Sequence, residues 1–475
     1  MAQDQTTDAK TEHTRRIALF CIPAHGHTNP MLPVAAELVR RGNAVRFYSF
    51  LEFEEKIRRT GAEFIACDRF LPPLTEREEA RLKRVSITEM TVSDLGITMK
   101  MDGFLEEEFK TFRPDVVYTD SVCFWGKLSA WKHHVPMVVS ISTFAFNQMS
   151  AQYMKQPPAE KADIILGLPR IIRAMNALKP YGYTIRNPMT LIQNDNKTDS
   201  VVYTSRRFQP YEESFSCHYE FVGPSVFSDA VPDKKKARPL VYISMGTVIN
   251  DRPDFYGKCF EALKDLDADV LISCGNAVDR EKLGVPPENF ELQPYVDQLN
   301  VLSRADVFIT HCGMNSVSES LYMATPMVLY PQTGEQAAVA KRAAELGAGV
   351  LLKDDSAGGI RAAVQTILDH ASYRDAAETC SRDFRACSGP SGAADFIESA
   401  PHQWDGVDIL KELNKTNVRF RIIYWSIVAV LIFLAGFYID RKYLWLIGLA
   451  AGIISKPIGK RLQNRRYARL VKDEQ

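Results

Sequence analysis

Paired cysteines are the first thing this chain lacks. Its nine cysteines are scattered, odd in number and without a CxxC spacing. That excludes a disulfide-stapled scaffold or a thiolate zinc site and points to reduced thiols in a cytosolic setting. An excess of one charge is missing too. The 58 basic and 58 acidic residues balance, so no global field attracts nucleic acid and no such partner is expected. The opening MAQDQTTDAKTEHTRR has no apolar stretch of signal-peptide length, so export by that route is not expected. Asp267-Ala268-Asp269 imitates a metal-binding triplet, but it precedes a strand on a surface loop. Neither a metal nor a bound cofactor is expected.

What is present begins with size. A chain of 475 residues exceeds one core, which predicts two globular domains plus additions. Residues 422–439, IIYWSIVAVLIFLAGFYI, are eighteen residues without a charge, close to the roughly 20 that span a bilayer. After Asp440-Arg441-Lys442, residues 443–455 form a shorter, Gly-containing apolar run, which suits a short return helix or an interfacial one. Lys415, Arg419 and Arg421 precede the first run, and Lys456, Lys460, Arg461, Arg465, Arg466, Arg469 and Lys472 follow the second. Basic flanks stay cytoplasmic, so a hairpin with both ends inside fits best.

Short apolar runs at 17–22, 44–50, 64–67, 115–119 and 137–142, with helical stretches such as 31–41 between them, predict a doubly wound parallel sheet. A second set at 240–244, 270–273, 306–310 and 326–331 predicts another. The charged, Pro-punctuated segment SVFSDAVPDKKKARP between the sets reads as a linker. Residues 70–101 and 144–191 are irregular in pattern, with Met, Phe and Tyr among polar residues. They serve equally well as lining of a substrate cleft or as core and loop packing.

The most informative stretch is 306–336, DVFITHCGMNSVSESLYMATPMVLYPQTGEQ. A strand runs into the His311-Cys312-Gly313 turn and a helix opens near Asn315, which makes an anion site, because the first amides of a helix lack intrahelical acceptors. Asn315 and Ser316 can cap the helix or touch a ligand, and Glu319 lies one turn deeper on the same face. A carboxylate suits ribose hydroxyls better than phosphate. Earlier, Pro23-Ala24-His25-Gly26-His27-Thr28-Asn29-Pro30 follows the first strand. His27 stands at a helix start, which is expected to lower its pKa and favour a neutral base. Asp120, directly after VVYT, lies at the same sheet edge, where it can fix the His27 tautomer. A histidine and an aspartate at strand ends are, by themselves, more often structural.

Residues 308–313 (FITHCG), then Ser316, Glu319, Pro326, Pro331 and Glu335-Gln336, resemble the signature of the UDP-dependent glycosyltransferases, in particular the bacterial macrolide-type group. The resemblance implies an α/β GT-B fold of two Rossmann-like domains facing across a cleft, here with a C-terminal transmembrane helix or helical hairpin. It implies that His311, Gly313, Asn315 and Ser316 hold the diphosphate of a UDP-sugar, Glu319 the ribose, and Glu335 with Gln336 the sugar hydroxyls, Gln336 favouring glucose. His27 matches the position of the family's base and Asp120 that of its acidic partner, with His25 as a competitor. Ser244-Met245-Gly246-Thr247 resembles the family's second diphosphate loop. Tyr295 occupies the place of the family's base-stacking Trp and Gln298 matches a base-reading Gln, but Asp297 replaces the usual proline, which puts that loop's geometry in question.

The expected organisation is an N-terminal segment 1–15, an acceptor domain 16–225, a linker 226–239, a UDP-sugar domain 240–400, a juxtamembrane segment 401–421, an anchor 422–455 and a basic tail 456–475. A helical segment near 391–410 is expected to return onto the first domain. The expected activity is inverting transfer of a hexose to a hydroxyl of a hydrophobic small molecule or lipid, with the catalytic domains at the cytoplasmic face of a membrane. The alternatives are a UDP-sugar epimerase on the same scaffold and a non-catalytic, membrane-tethered UDP-sugar binding subunit.

Overall fold

The computed structural model describes residues 14–71, 86–154, 158–185, 191, 197–226, 231–233, 238–246, 252–275, 283–403, 409–435, 437 and 443–474. Two wholly parallel sheets dominate its larger unit. The first runs β3-β2-β1-β4-β5-β6-β7, with β1 Arg16–Phe20, β2 Ala44–Ser49, β3 Glu63–Ala66, β4 Val116–Asp120, β5 Met137–Ile141, β6 Ser200–Val202 and β7 Tyr219–Phe221. The second runs β10-β9-β8-β11-β12-β13, with β8 Leu240–Ser244, β9 Asp269–Ser273, β10 Phe290–Gln293, β11 Val307–Thr310, β12 Met327–Leu329 and β13 Gly349–Leu351.

The strands form where the apolar runs demand burial on both faces. Ile17, Ala18, Leu19 and Phe20 of β1 are all buried, which only a sheet covered by helices on both sides allows. Cover is tight: a Cβ on Gly126, in the helix Phe124–Lys132, would stand 2.3 Å from Thr119 Oγ1 and 2.7 Å from Phe20 Cβ. Register then aligns the strand ends. Phe20 pairs with Thr119 and Asp120 with Ser140 in the first sheet; Thr310 pairs with Ser244 and with Leu329 in the second. The described loops that hold the candidate site residues around His27, Asp120 and His311 therefore leave the carboxyl edges.

Four strands were not anticipated from the sequence. β6, β7, β10 and β13 are three or four residues long, too short to show a period. The first helix begins at His25, not near 31, and holds Pro30 and Pro33 inside it. The segments read as irregular contain long helices, Ile87–Thr111 and Pro158–Ala177. Ser86 caps the former by accepting from Glu89 N at 3.2 Å, and it ties the two together through Asp163 Oδ1 at 2.7 Å. The predicted return of a late helix is present. Gly389–Glu398 packs Ala393, Ala394 and Ile397 into the first core, and Arg41 Nη1 meets Glu398 Oε2 at 2.8 Å.

A smaller unit consists of residues 211–218 and 403–475. Its helices Ile409–Ala435 and Leu444–Glu474 lie antiparallel: Tyr424 donates to Ala451 O at 2.7 Å, and a Cβ on Gly459 would stand 3.1 Å from Phe420 Cε1. Ile409–Ala435 is the one described helix long and apolar enough to cross a membrane, and only 6% of its apolar window is buried.

Candidate active site

The turn after β1 and the ends of β4 and β5 meet at one point. His27 Nδ1 lies 2.7 Å from Asp120 Oδ2 and 3.1 Å from Ser142 Oγ. A carboxylate only accepts, so Nδ1 carries the proton and the Nε2 lone pair is left as the basic site. Nε2 has no hydrogen-bond partner among the described residues. Asp120 is fully buried and is held in turn by Val122 N at 3.0 Å. His25 does not compete for this place: its Nε2 pairs with Glu52 Oε1 at 2.9 Å and its ring meets Phe53 edge-on.

The expected lowering of the His27 pKa is not what the site produces. Burial pushes it down, but the charge and hydrogen bond of Asp120 and the charge of Glu335 outweigh burial, and the net shift is upward. A partnered carboxylate at 2.7 Å acts more strongly than the partial charge of a helix end. Nearby Asp94, on the helix Ile87–Thr111, is pushed up to about 7 by burial and by the charge of Asp120.

In the second sheet, the loops after β8, β11 and β12 form the opposing surface. Cys312 adopts φ 67°, which turns the chain sharply after β11, and the helix Met314–Tyr322 starts at once with Gly313 as its N-cap. Asn315 and Ser316 sit in its first turn. The His311 ring is wedged between two glycines: a Cβ on Gly246 would stand 2.5 Å from His311 Cε1, and one on Gly313 2.7 Å from Nε2. Burial holds His311 down at about 4, so it is a neutral imidazole that can donate one N–H to an anion. Its Nδ1 has no partner among the described residues.

One turn deeper, Glu319 Oε2 accepts from Gln298 Nε2 at 2.7 Å, and Gln298 Oε1 accepts from Tyr242 at 3.2 Å. Burial pushes the Glu319 carboxyl up to about 7. Asp297 caps the helix Gln298–Arg304 by accepting from Asn300 N at 3.2 Å, which restores by hydrogen bonding the order that a proline would impose. Tyr295, just before it, is 63% exposed, a flat ring open to stacking. Glu335 and Gln336 open the helix Gly334–Glu345. Gln336 Oε1 is already engaged by Gln332 N at 2.8 Å, and Gln332 Oε1 by Arg252 Nη1 at 2.6 Å, so Gln336 braces its loop. Thr247 lies outside the described residues.

The two surfaces face each other: Asn315 Nδ2 donates to Gly26 O at 3.1 Å, beside His27. Sequence reasoning missed Ser142 and Asp94. Ser142 had a usable signal in its place at the end of a predicted strand; Asp94 had none. Among the described residues no three His, Cys, Asp or Glu side chains are grouped to hold a metal, and Asp267 and Asp269 instead pair with Arg238.

Comparison with known proteins bears on the fold and the family. A family model described as UDP-glucoronosyl and UDP-glucosyl transferase matches residues 229–385. The chain is 32% identical over 399 residues to an uncharacterized UDP-glucosyltransferase of Bacillus subtilis, YojK, covering 82% of this chain and 98% of that one. It is 30% identical to the demethyllactenocin mycarosyltransferase of Streptomyces fradiae, covering 80% and 86%. Among solved structures, the calicheamicin glycosyltransferase CalG4 superposes with a TM-score of 0.66 at 25% identity, covering 82% of this chain and 100% of that one. The chain is a nucleotide-sugar-dependent glycosyltransferase with the GT-B fold, and it belongs to the UDP-glycosyltransferase family.

Proposed function

We propose that this enzyme moves a hexose, glucose in the first instance, from a UDP-sugar to a hydroxyl of a hydrophobic acceptor, with inversion. The observation that carries this reading is His27, held through Nδ1 by the buried Asp120 and with Nε2 unpartnered among the described residues, facing the helix start at Asn315. Nε2 takes the acceptor proton as the acceptor oxygen attacks the sugar C1 from the face opposite UDP. The C1–O bond to UDP breaks, and the diphosphate leaves into the amides at Met314–Tyr322. General-base help of this kind is worth roughly 10²–10⁴-fold, and electrostatic support of the leaving diphosphate adds to it. Ser244, Gly246, His311, Gly313, Asn315 and Ser316 serve the diphosphate, Glu319 and Gln298 the ribose and base edge, Tyr295 the base face, and Glu335 with Gln336 the sugar. No metal or cofactor enters these steps.

Two features favour an apolar acceptor met at a membrane. The helix Pro158–Ala177 leaves Ile165, Leu166, Leu168 and Ile172 exposed. The C-terminal hairpin exposes far more, including Ile422, Ile423, Phe433, Trp445 and Ile453. Phe420 lies against Gly459, so Arg419 and Arg421 stand beside Lys460 at one end of the pair, and the described arms 422–435 and 444–459 run about 21 and 24 Å at helical rise, against the ~30 Å of a bilayer core. Lys456, inside the second arm, has a stem long enough to reach that basic collar. The hairpin then crosses twice, with both ends and the catalytic domains cytoplasmic.

The test is mass analysis of products from UDP-glucose with a panel of sterol, carotenoid and polyketide alcohols, with the anomeric configuration read by NMR. The reading expects a β-linked hexosyl adduct from an α-linked donor. Conversion of UDP-sugar without any acceptor adduct would replace it with the epimerase alternative.

A further inference from the structure

Proline within a helix removes one N–H and so leaves one carbonyl without its donor. In the helix His25–Arg40 the prolines are Pro30 and Pro33. The carbonyl that Pro30 would have engaged, four residues earlier, is that of Gly26. It is this carbonyl that receives Asn315 Nδ2 at 3.1 Å from the opposite lobe.

The peptide unit concerned joins Gly26 to His27. Its other end is fixed as well, since His27 N donates to Ala24 O at 3.0 Å. One plane, pinned at its N–H from within the first lobe and at its C=O from the second, sets the direction in which the His27 side chain leaves the backbone. Asp120 then fixes the ring through Nδ1.

We propose that Asn315 is a positioning residue for His27: it reaches across the cleft to hold the Gly26 carbonyl that Pro30 leaves open, so the basic nitrogen is aimed only when the two lobes are apposed. An ordinary residue at 30 would recapture the carbonyl and release Asn315. A shift of reacting atoms by about 1 Å is enough to cost large factors in rate. The inference rests on His27 being the base.

The experiment is a double-mutant cycle on the full chain with Pro30→Ala, Asn315→Ala and the pair. Pro30→Ala adds a helix-favouring residue and restores an intrahelical bond, so it does not threaten folding; thermal unfolding checks this. Expected is a fall in kcat on the order of tenfold for Pro30→Ala with the Kd for UDP unchanged, and no further effect of Pro30→Ala in the Asn315→Ala background. An unchanged kcat in Pro30→Ala, or an equal effect in both backgrounds, overturns the proposal. His27→Ala is run beside the cycle. If it retains transfer, the base assignment has failed; additive effects with His27→Ala inactive mean that only the latch has failed.

Discussion

His27 Nδ1 and Asp120 Oδ2 stand 2.7 Å apart, with Asp120 fully buried and His27 28% exposed. An imidazolium at His27 is therefore stabilised through Nδ1 by Asp120, while the ring stays partly accessible. The His27 pKa is raised despite burial, so the neutral base accumulates only as pH climbs above about 6.5. kcat/KM should rise with pH through a midpoint above that value. Asp120→Asn removes the main raising influence: the limb should move to lower pH while the plateau rate falls by roughly 10²–10⁴-fold. A pH–rate profile of both enzymes checks this.

Glu319 is held near 7 and hydrogen-bonded by Gln298. As an acceptor for ribose hydroxyls it works best ionised, so UDP affinity relative to Glu319→Gln should grow as pH rises through about 7. The sign for stability is opposite. With the folded pKa above the unfolded one, its contribution is full below about 4.5 and lost by about 7. Calorimetric UDP titrations and unfolding temperatures at pH 5 and 8 separate the two effects.

Gly246 has φ 82°, and a side chain there would strike the His311 ring at 2.5 Å. Gly246→Ala should cost about 1–2 kcal/mol in backbone strain and weaken UDP binding at least about tenfold by displacing His311. Gly103→Ala, in the helix Ile87–Thr111 with nothing near its Cβ, should leave binding unchanged and gain about 0.5–1 kcal/mol. UDP affinity and thermal unfolding of both variants provide the comparison.

The hairpin reading predicts a labelling pattern. In a background with exposed Cys217 replaced by serine, Tyr443→Cys should react with a membrane-impermeant maleimide on intact cells. Arg469→Cys should react only after permeabilisation. Labelling of Arg469→Cys from outside would mean a single crossing, and extraction of the protein by salt would mean none.

The placement of the candidate site residues was legible because parallel sheets align their strand ends: the positions of His27, Asp120 and the turn at His311 follow directly from where apolar runs stop. What escaped depended on partners distant in sequence. The His27 pKa is decided by Asp120, 93 residues away, and not by its own helix. Asp297 looked disruptive where a proline was expected, yet it caps its helix through Asn300. The wedge of His311 between Gly246 and Gly313 needs two loops in register, which no local pattern reports. The helices Ile87–Thr111 and Pro158–Ala177 were hidden by Thr, Gly and Pro within them, which weaken helical propensity until tertiary packing compensates.

The most direct test of the central claim pairs two measurements on His27→Ala: the affinity for UDP and the rate of sugar transfer. The account predicts a UDP Kd within about twofold of wild type and a transfer rate lower by at least roughly 10²-fold. Transfer near the wild-type rate, or loss of UDP affinity in proportion to loss of rate, would contradict it.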